Sequence, residues 1–460
     1  MDFTELGDST VPAGRLVFWT PTASAAAWAD DPRVPALVHE HHVRGAAARG
    51  PRHVDPAWIG VAFGVGRAAR HQVGSAFSDW LRRHEHLRSR LDPAREHCMR
   101  RTLPAGAVTL RQEHVGDFAD GASVRRQIEA FFDRSARPQG WPHVVFATVE
   151  GAGGVTVFVG TDHGIVDGCT LAMIPGQIRD ALAGRAEDAP GPTYLDFGAE
   201  ERSLVDRLPP GPEHADHWRA LLGDAHGRTP AFPLPLGASE TPAAQCSAYR
   251  WLLGGPAAAR FADASHAGGG TTAAGLLACL ALAAAEVTGE DAGEDAGEPL
   301  LSVVNLADTR PDRWRGAPGW FVGLHPVRIP ALPGAAFADT LALAAAELRR
   351  RRPGPGSSLP HISRMLRREV HPRFVVSYID VRRVAGTPPR PEDRMLRSRI
   401  HGAAEVYVWL TRSERGVHLS TRFPDTAVAR VNVGRFVLAA ARVAAGVAEG
   451  RRAEVVPLSA

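Results

Sequence analysis

Between residues 184 and 235 the chain loses its periodicity. Prolines, glycines and charges crowd this stretch, with one short helical patch near Trp218–Leu222. Such punctuation marks a segment between packed bodies. A chain of 460 residues is also too long for one hydrophobic core, because cores stop growing beyond roughly 250–300 residues. Together these features predict two lobes, residues 1–185 and 236–460, with a linker region at 186–235.

Each half mixes strands and helices. In the first, Arg15–Thr20 and Trp58–Phe63 read as strands and Pro35–Arg49 has helical spacing. Gln72–His84 places Val73, Phe77, Trp80 and Leu81 on one helical face. His143–Glu150 and Val155–Asp162 are β-rich runs joined by Gly-Ala-Gly-Gly, a hairpin signature. Thr170–Leu182 is helical, with Pro175-Gly176 expected to kink or restart it.

The second half repeats the style, with helices expected at Thr271–Val287, Ala336–Arg352 and Val431–Glu449. Its strands are expected at Leu300–Asn305, Val322–Ile329, Phe374–Asp380, Glu405–Arg412 and Gly416–Phe423. This irregular alternation predicts an α/β class fold of mixed α+β layers.

Composition excludes several functions. The positive charges are all arginine, yet the net charge is only +3, and no basic block is interleaved with stacking aromatics. Nucleic-acid binding is therefore not expected. Cys98, Cys169, Cys246 and Cys279 have no paired spacing, which fits a reduced, cytoplasmic setting without structural zinc. The polar, acidic start is unlike a signal peptide. The apolar run Thr271–Val287 is shorter than the ~20 residues of a membrane helix, so a buried core helix is expected and no membrane span. The repeated Gly-Glu-Asp-Ala between Thr288 and Glu298 reads as a solvated loop.

The segment that carries chemistry follows the hairpin. The strand from Val155 gives way to Asp162, His163, three residues, then Asp167 and Gly168 at the start of a helix. A histidine just past a buried strand is fixed by that strand and opened to a cleft by its loop. Its pKa, near 6.5 when unperturbed, makes it a general base at neutral pH. Asp167 can hold the turn through an arginine or backbone N–H groups, and Gly168 allows close backbone approach. No Gly-x-Ser-x-Gly elbow is present for a serine triad. Asp162, His163 and Asp167 offer three metal ligands, but nothing else nearby supports a metal. His-x-x-x-Asp is a common spacing, so the pattern alone leaves His163 one candidate among twenty histidines.

Several motifs, taken in order, resemble the condensation-domain superfamily. That superfamily includes peptide-synthetase condensation domains, polyketide-associated acyltransferases and, more distantly, chloramphenicol acetyltransferase. Asp162-His163-Gly164-Ile165-Val166-Asp167-Gly168 is similar to the family's His-His-x-x-x-Asp-Gly. Arg83-His84-Glu85-His86-Leu87-Arg88 is similar to Arg-His-Glu-x-Leu-Arg, and Thr193–Phe197 to an inter-lobe Tyr-x-Asp-Phe. Val303–Arg310 and Gly319–Val327 resemble a later strand region. The resemblance runs from about residue 15 to 448, and the N-terminal stretch looks like free-standing actinobacterial polyketide-associated acyltransferases. The chain departs from the pattern at Asp162, where the family has its first histidine, and at Gly323, where it has asparagine.

The resemblance implies two chloramphenicol-acetyltransferase-like lobes in a V with a tunnel between them. It also implies transfer of an acyl group from a carrier-protein phosphopantetheine or CoA thioester to a hydroxyl or amine, in natural-product or lipid biosynthesis. His163 is then the base. Asp167 is structural, with Arg310 the candidate ion-pair partner, and the Gly168 N–H is a candidate oxyanion donor. No tightly bound cofactor or metal is implied. The expected partners are an acyl or peptidyl carrier protein and a small acceptor, and the chain is expected to be a monomer. A non-catalytic condensation-like module that binds a carrier protein or recruits an enzyme is the alternative, motivated by Asp162.

Structural roles are expected for the other conspicuous residues. His84, Glu85 and His86 should pack the lobe, and His39, His41 and His42 should cap or solvate a helix, with a place lining the tunnel the alternative for one of them. Trp320 and Phe321 should be core residues, Cys169 a helix-start residue, and Arg349–Arg352 a solvated helix end.

Overall fold

The computed structural model describes residues 1–49, 58–93, 98–185, 191–207, 212–224, 227–237, 243–289, 300–331, 334–350, 357–402 and 404–450. The acidic repeat at 290–299 and Arg351–Arg352 lie outside the described residues. The chain begins β1 (Asp2–Glu5), β2 (Gly14–Thr22), β3 (Ala29–Asp31), α1 (Leu37–Arg49), β4 (Trp58–Gly64), α2 (Arg70–Arg83), β5 (Ser89–Asp92), β6 (Met99–Thr102) and β7 (Thr109–Phe118). It continues with α3 (Gly121–Ser135), β8 (Val144–Gly151), β9 (Gly154–Asp162), α4 (Gly168–Leu182), α5 (Tyr194–Arg207), α6 (Pro212–Asp224), β10 (Ala243–Gly254), α7 (Gly255–Ala267) and α8 (Thr272–Gly289). The remainder is β11 (Leu300–Asp308), β12 (Val322–Pro330), α9 (Phe337–Arg350), α10 (Leu359–Leu366), β13 (Phe374–Asp380), β14 (Arg394–Arg397), β15 (His401–Gly402), β16 (Val406–Ser413), β17 (Gly416–Pro424) and α11 (Ala427–Ala448).

These elements make two units, but the division is not the sequential one expected at 186–235. The first unit comprises Met1–Pro209, Asp308–Val322 and Val381–Ile400; the second comprises the rest. The expected linker carries two helices, α5 and α6, with Pro192 shortly before the first and Pro212 opening the second. Within α5, Tyr194, Leu195, Phe197, Glu201 and Val205 are buried at helical spacing. Residues 308–322 and 381–400 join the first unit because their bonding partners lie there. Buried Arg179 of α4, for example, donates to both carboxylate oxygens of Asp393 at 2.8 and 2.6 Å.

The first unit is built on a sheet ordered β1-β14-β4-β9-β8-β2-β7. The hairpin β8–β9 pairs Val144 with Thr161 and closes at Gly151–Gly154. Gly154 has φ +113°, a conformation L side chains rarely adopt. Alternation along β8 sends Val145, Ala147 and Val149 to a core with Val124, Ile128 and Phe132 of α3. Phe146 points the other way, stacking on Phe77 of α2 at 4.2 Å. Helix α3 was not foreseen, although its signals were present: Asp120 caps it by accepting from the Ser123 N–H at 2.8 Å, and Val124, Ile128, Phe131 and Phe132 mark one face.

Helix α4 does not restart at Pro175 but runs unbroken from Gly168 to Leu182. Gly176 serves packing instead, since a Cβ there would stand 2.2 Å from the Thr387 carbonyl oxygen.

The second unit holds a seven-stranded sheet ordered β12-β11-β13-β16-β17-β10-β15. Its large core joins strand residues such as Val303, Phe374 and Leu410 to helices α7, α8, α9 and α11. Helices α8 and α11 are long and apolar enough to cross a membrane, yet 78% and 61% of their apolar windows are buried inside the protein. Helix α8 is apolar all round because it is enclosed on every side, as expected of a core helix. Its one buried acid, Glu286, pairs with Arg442 of α11.

Gly160 of β9 faces Gly60 of β4 across the ladder. A Cβ on Gly160 would stand 2.6 Å from the Phe132 ring, so the phenyl packs directly on sheet backbone. We expect Gly160→Ala to overpack this contact and lower unfolding free energy by about 1–3 kcal/mol in urea titration. A change below about 0.5 kcal/mol would show that the ring has room to move.

Candidate active site

The end of β9 delivers the motif. Thr161 and Asp162 are the last strand residues, and Asp162 is held by its N–H donating to the His143 carbonyl at 2.8 Å. The backbone then tightens into a single 3-10 turn, His163–Ile165, before α4 starts at Gly168. His163 is half-buried. Its Nδ1 lies 3.1 Å from the Val166 carbonyl oxygen, which can only accept, so Nδ1 carries the proton and Nε2 the free lone pair. Burial pushes the imidazole below its ordinary value, against upward contributions from nearby backbone and Asp162. A neutral imidazole whose Nε2 carries the lone pair is the form a proton acceptor requires.

Asp167 is fully occupied. It caps α4 by accepting from the Thr170 N–H at 2.7 Å. Its other oxygen accepts from the Phe321 N–H at 2.9 Å. Arg310 Nη2 donates to both oxygens, at 3.1 and 3.0 Å, and the guanidinium also lies over the Phe321 ring at 4.5 Å. Thr170 adds three bonds to the same segment, its hydroxyl accepting from the Gly319 N–H at 3.0 Å and from Arg310 Nη2 at 3.3 Å and donating to the Gly319 carbonyl at 2.9 Å. Asp167 thus ties residues 308–322 to the first turn of α4. Gly168 is the first residue of that helix, where geometry leaves N–H groups without intrahelical acceptors.

Two residues expected to be structural bystanders instead border His163. Trp320 is partly exposed rather than buried, and its ring sits 4.8 Å from the imidazole at a 34° tilt. Only Phe321 goes to the core, because its N–H is taken by Asp167 and its ring by Arg310. His42 does not cap α1; its Nε2–H donates to Asp162 Oδ1 at 2.8 Å. No local pattern announces a contact between residues so far apart in sequence, although the i, i+3 placement of His39 and His42 on α1 put both on one face.

The remaining motifs are structural. Arg88 is buried and donates to the carbonyls of Leu81, Leu103 and Arg82. Glu85 pairs with Arg33, which also holds Asp31 and Asp196. Cys169 donates to Asp308 at 3.5 Å; burial and the neighbouring carboxylates push its thiol well above the usual range, which disfavours the thiolate. Arg349 bonds the Gly269 carbonyl from an exposed helix end. Among the described residues no group of His, Cys, Asp and Glu is arranged to hold a metal ion.

Behind the site lies a buried histidine cluster. His39, His84, His86 and His143 are each at most 4% exposed, with Arg100 and Tyr194 among them. Burial drives all four imidazoles down, His84 to about 3. They are neutral in the fold, whereas an unfolded imidazole takes a proton below about 6.5. Their contribution to stability is therefore complete above that pH and is lost as pH falls, by up to ~1.4 kcal/mol per unit per group. We expect the urea midpoint to be level above pH 7.5 and to fall steeply between pH 6.5 and 5; a level profile throughout would contradict this. For the Asp167–Arg310 pair, Arg310→Ala leaves a buried carboxylate without its cation and should cost about 3–5 kcal/mol by the same titration at pH 7.5. A loss under about 1 kcal/mol would mean that the pair does not anchor the segment.

No family model matches the chain. Two relatives from Mycobacterium tuberculosis align over almost their full lengths. Acyltransferase PapA3 is 26% identical over 474 residues, covering 96% of each chain. Trehalose-2-sulfate acyltransferase PapA2 is 25% identical over 480 residues, covering 99% of each. Among solved structures, a PapA2 acyl transferase superposes with a TM-score of 0.80 at 21% identity, over 98% of this chain and 100% of that one. The first condensation domain of the calcium-dependent antibiotic synthetase gives 0.67 at 18% identity, over 94% and 100%.

Proposed function

We propose that this chain, an acyltransferase with the condensation-domain fold, moves an acyl group from a thioester to a hydroxyl or amine with His163 as general base. The observation that carries this reading is the tautomer of His163, whose Nδ1–H is committed to the Val166 carbonyl so that Nε2 is free to accept a proton.

In the proposed reaction, His163 Nε2 takes the acceptor's proton as its oxygen or nitrogen attacks the thioester carbonyl. The carbonyl π electrons move to oxygen, and the resulting oxyanion sits against the first turn of α4, where the Gly168 N–H and the positive helix end stabilise it. Collapse of the intermediate breaks the C–S bond, and the departing thiolate recovers the proton from the imidazolium. Asp167 and Arg310 do not exchange protons; they hold α4 and residues 308–322 in register around the base.

The donor would be a carrier-protein phosphopantetheine or CoA thioester. A sugar or polyol hydroxyl is the first acceptor to try, since one relative's name makes a sulfated trehalose its substrate. The setting would be lipid or natural-product biosynthesis.

The test is acyl transfer from acyl-CoA and acyl N-acetylcysteamine thioesters to a panel of sugars, alcohols and amines, followed by mass spectrometry. His163→Ala should lower turnover by about 10²–10⁴-fold with an unchanged circular dichroism spectrum. Because only the neutral imidazole accepts a proton and its pKa is depressed, kcat/KM should fall on the acid side with a midpoint below ~6.5. Near wild-type turnover in His163→Ala would remove the base assignment.

A further inference from the structure

The residue before His163 is a carboxylic acid where the resembled motif has a histidine. Asp162 is fully buried, and one of its oxygens, Oδ2, has no hydrogen-bond partner among the described residues. A lone carboxylate in that place is costly to bury, and its charge would favour the protonated form of His163. Helix α1 supplies the answer. His42 reaches across from α1 and its Nε2–H donates to Asp162 Oδ1 at 2.8 Å.

Three further features show that this contact is built into the fold. Gly164 lies under the pair; a Cβ there would stand 2.4 Å from His42 Cδ2 and 2.8 Å from Asp162 Oδ2, so this turn residue must lack a side chain. Trp320 stands edge-on to His42, with centroids 5.7 Å apart at 87°, while its face tilts over His163. One indole therefore packs against both imidazoles. Finally, the base is sensitive to both members of the pair: Asp162 favours its protonated form and His42 opposes it.

We propose that His42 is a positioning residue of the acyl-transfer site, its imidazole partnering the acid that stands where the resembled motif has its first histidine. By holding Asp162 Oδ1 in a hydrogen bond it keeps the His163 turn in place and weakens the carboxylate's hold on a proton at His163. This inference rests on His163 being the base. The other titratable groups facing the pair are His163 on the turn, His143 ahead of β8 and His39 on α1, with Arg100 acting on His39 from β6. Burial alone would raise the Asp162 carboxyl, but His42, followed by His143 and His163, more than offsets this and holds it below the ordinary range.

The experiment reads the titration of His163 directly, by carbon NMR of protein labelled at histidine Cε1, with the signal assigned by its loss in His163→Ala. In His42→Ala, Asp162 loses its partner and the His163 midpoint should rise by about one unit. Asp162→Asn in the same background removes the charge and should bring the midpoint back. His42→Gln, whose amide can still donate to Asp162, should keep the turn intact and covers the case in which His42→Ala fails to fold. With a working acyl-transfer assay, the acid limb of kcat/KM should follow the same order across these variants.

A His163 midpoint unmoved in His42→Ala, or a rise that Asp162→Asn does not reverse, overturns the proposal. The NMR measurement needs no substrate, so it stands apart from the base assignment. Turnover surviving in His163→Ala would defeat that assignment, whereas an inactive His163→Ala with an unmoved midpoint in His42→Ala would defeat this inference alone.

Discussion

A single carboxylate organises the first unit around its chemistry. Asp167 caps α4, accepts from the Phe321 backbone and holds the Arg310 guanidinium, and so fixes three pieces of chain at one point. The pair is buried, and an ion pair in such a place is worth more as a specification of geometry than as stability, because desolvation offsets much of the attraction. What it specifies is the location of residues 308–322. Trp320 reaches the His163 ring only because Gly319 and Phe321 on either side of it are bonded to Thr170 and Asp167. His163, its indole neighbour and the helix N-terminus are thus placed by one set of hydrogen bonds.

Around that anchor the unit tolerates an unusual burden. Four imidazoles, a phenol and a guanidinium are sunk behind the motif, and neither ring nitrogen of His39 has a hydrogen-bond partner among the described residues. Buried polar groups of this kind cost free energy that an apolar core would not. They make the environment of the motif one in which imidazoles are held neutral, and His163 shares that bias. The same burial that weakens the fold in acid keeps the proposed base unprotonated at neutral pH.

The sequence exposed what local patterning can encode. The hairpin of β8 and β9, helix α2, the core helix α8 and strand β13 follow from periodicities of two or 3.6 residues bounded by turn residues. The order of motifs, rather than any one of them, singled out Asp167 and Arg310, which the fold brings into contact across 143 residues. Helix α5 was hidden because flanking prolines and glycines suggested a linker. The contact of His42 with Asp162 and the exposure of Trp320 were not legible, because both depend on how distant segments pack. One of three histidines on a weakly amphipathic helix has no local mark that tells a partner of a buried acid from a solvated side chain.

The sheet of the first unit is not made from contiguous chain. Strand β14, residues Arg394–Arg397, lies between β1 and β4, parallel to the former and antiparallel to the latter. The strand Asp2–Glu5 therefore has no neighbour in that sheet until residues 394–397, nearly 400 positions later in sequence, have been synthesised. On the ribosome, strands β4, β9, β8, β2 and β7 can pair as they emerge, but β1 must wait, and the exposed edge of β4 waits with it. Completion of the first unit waits on residues distant in sequence, and a fragment that ends before residue 394 lacks the strand that covers the edge of β4.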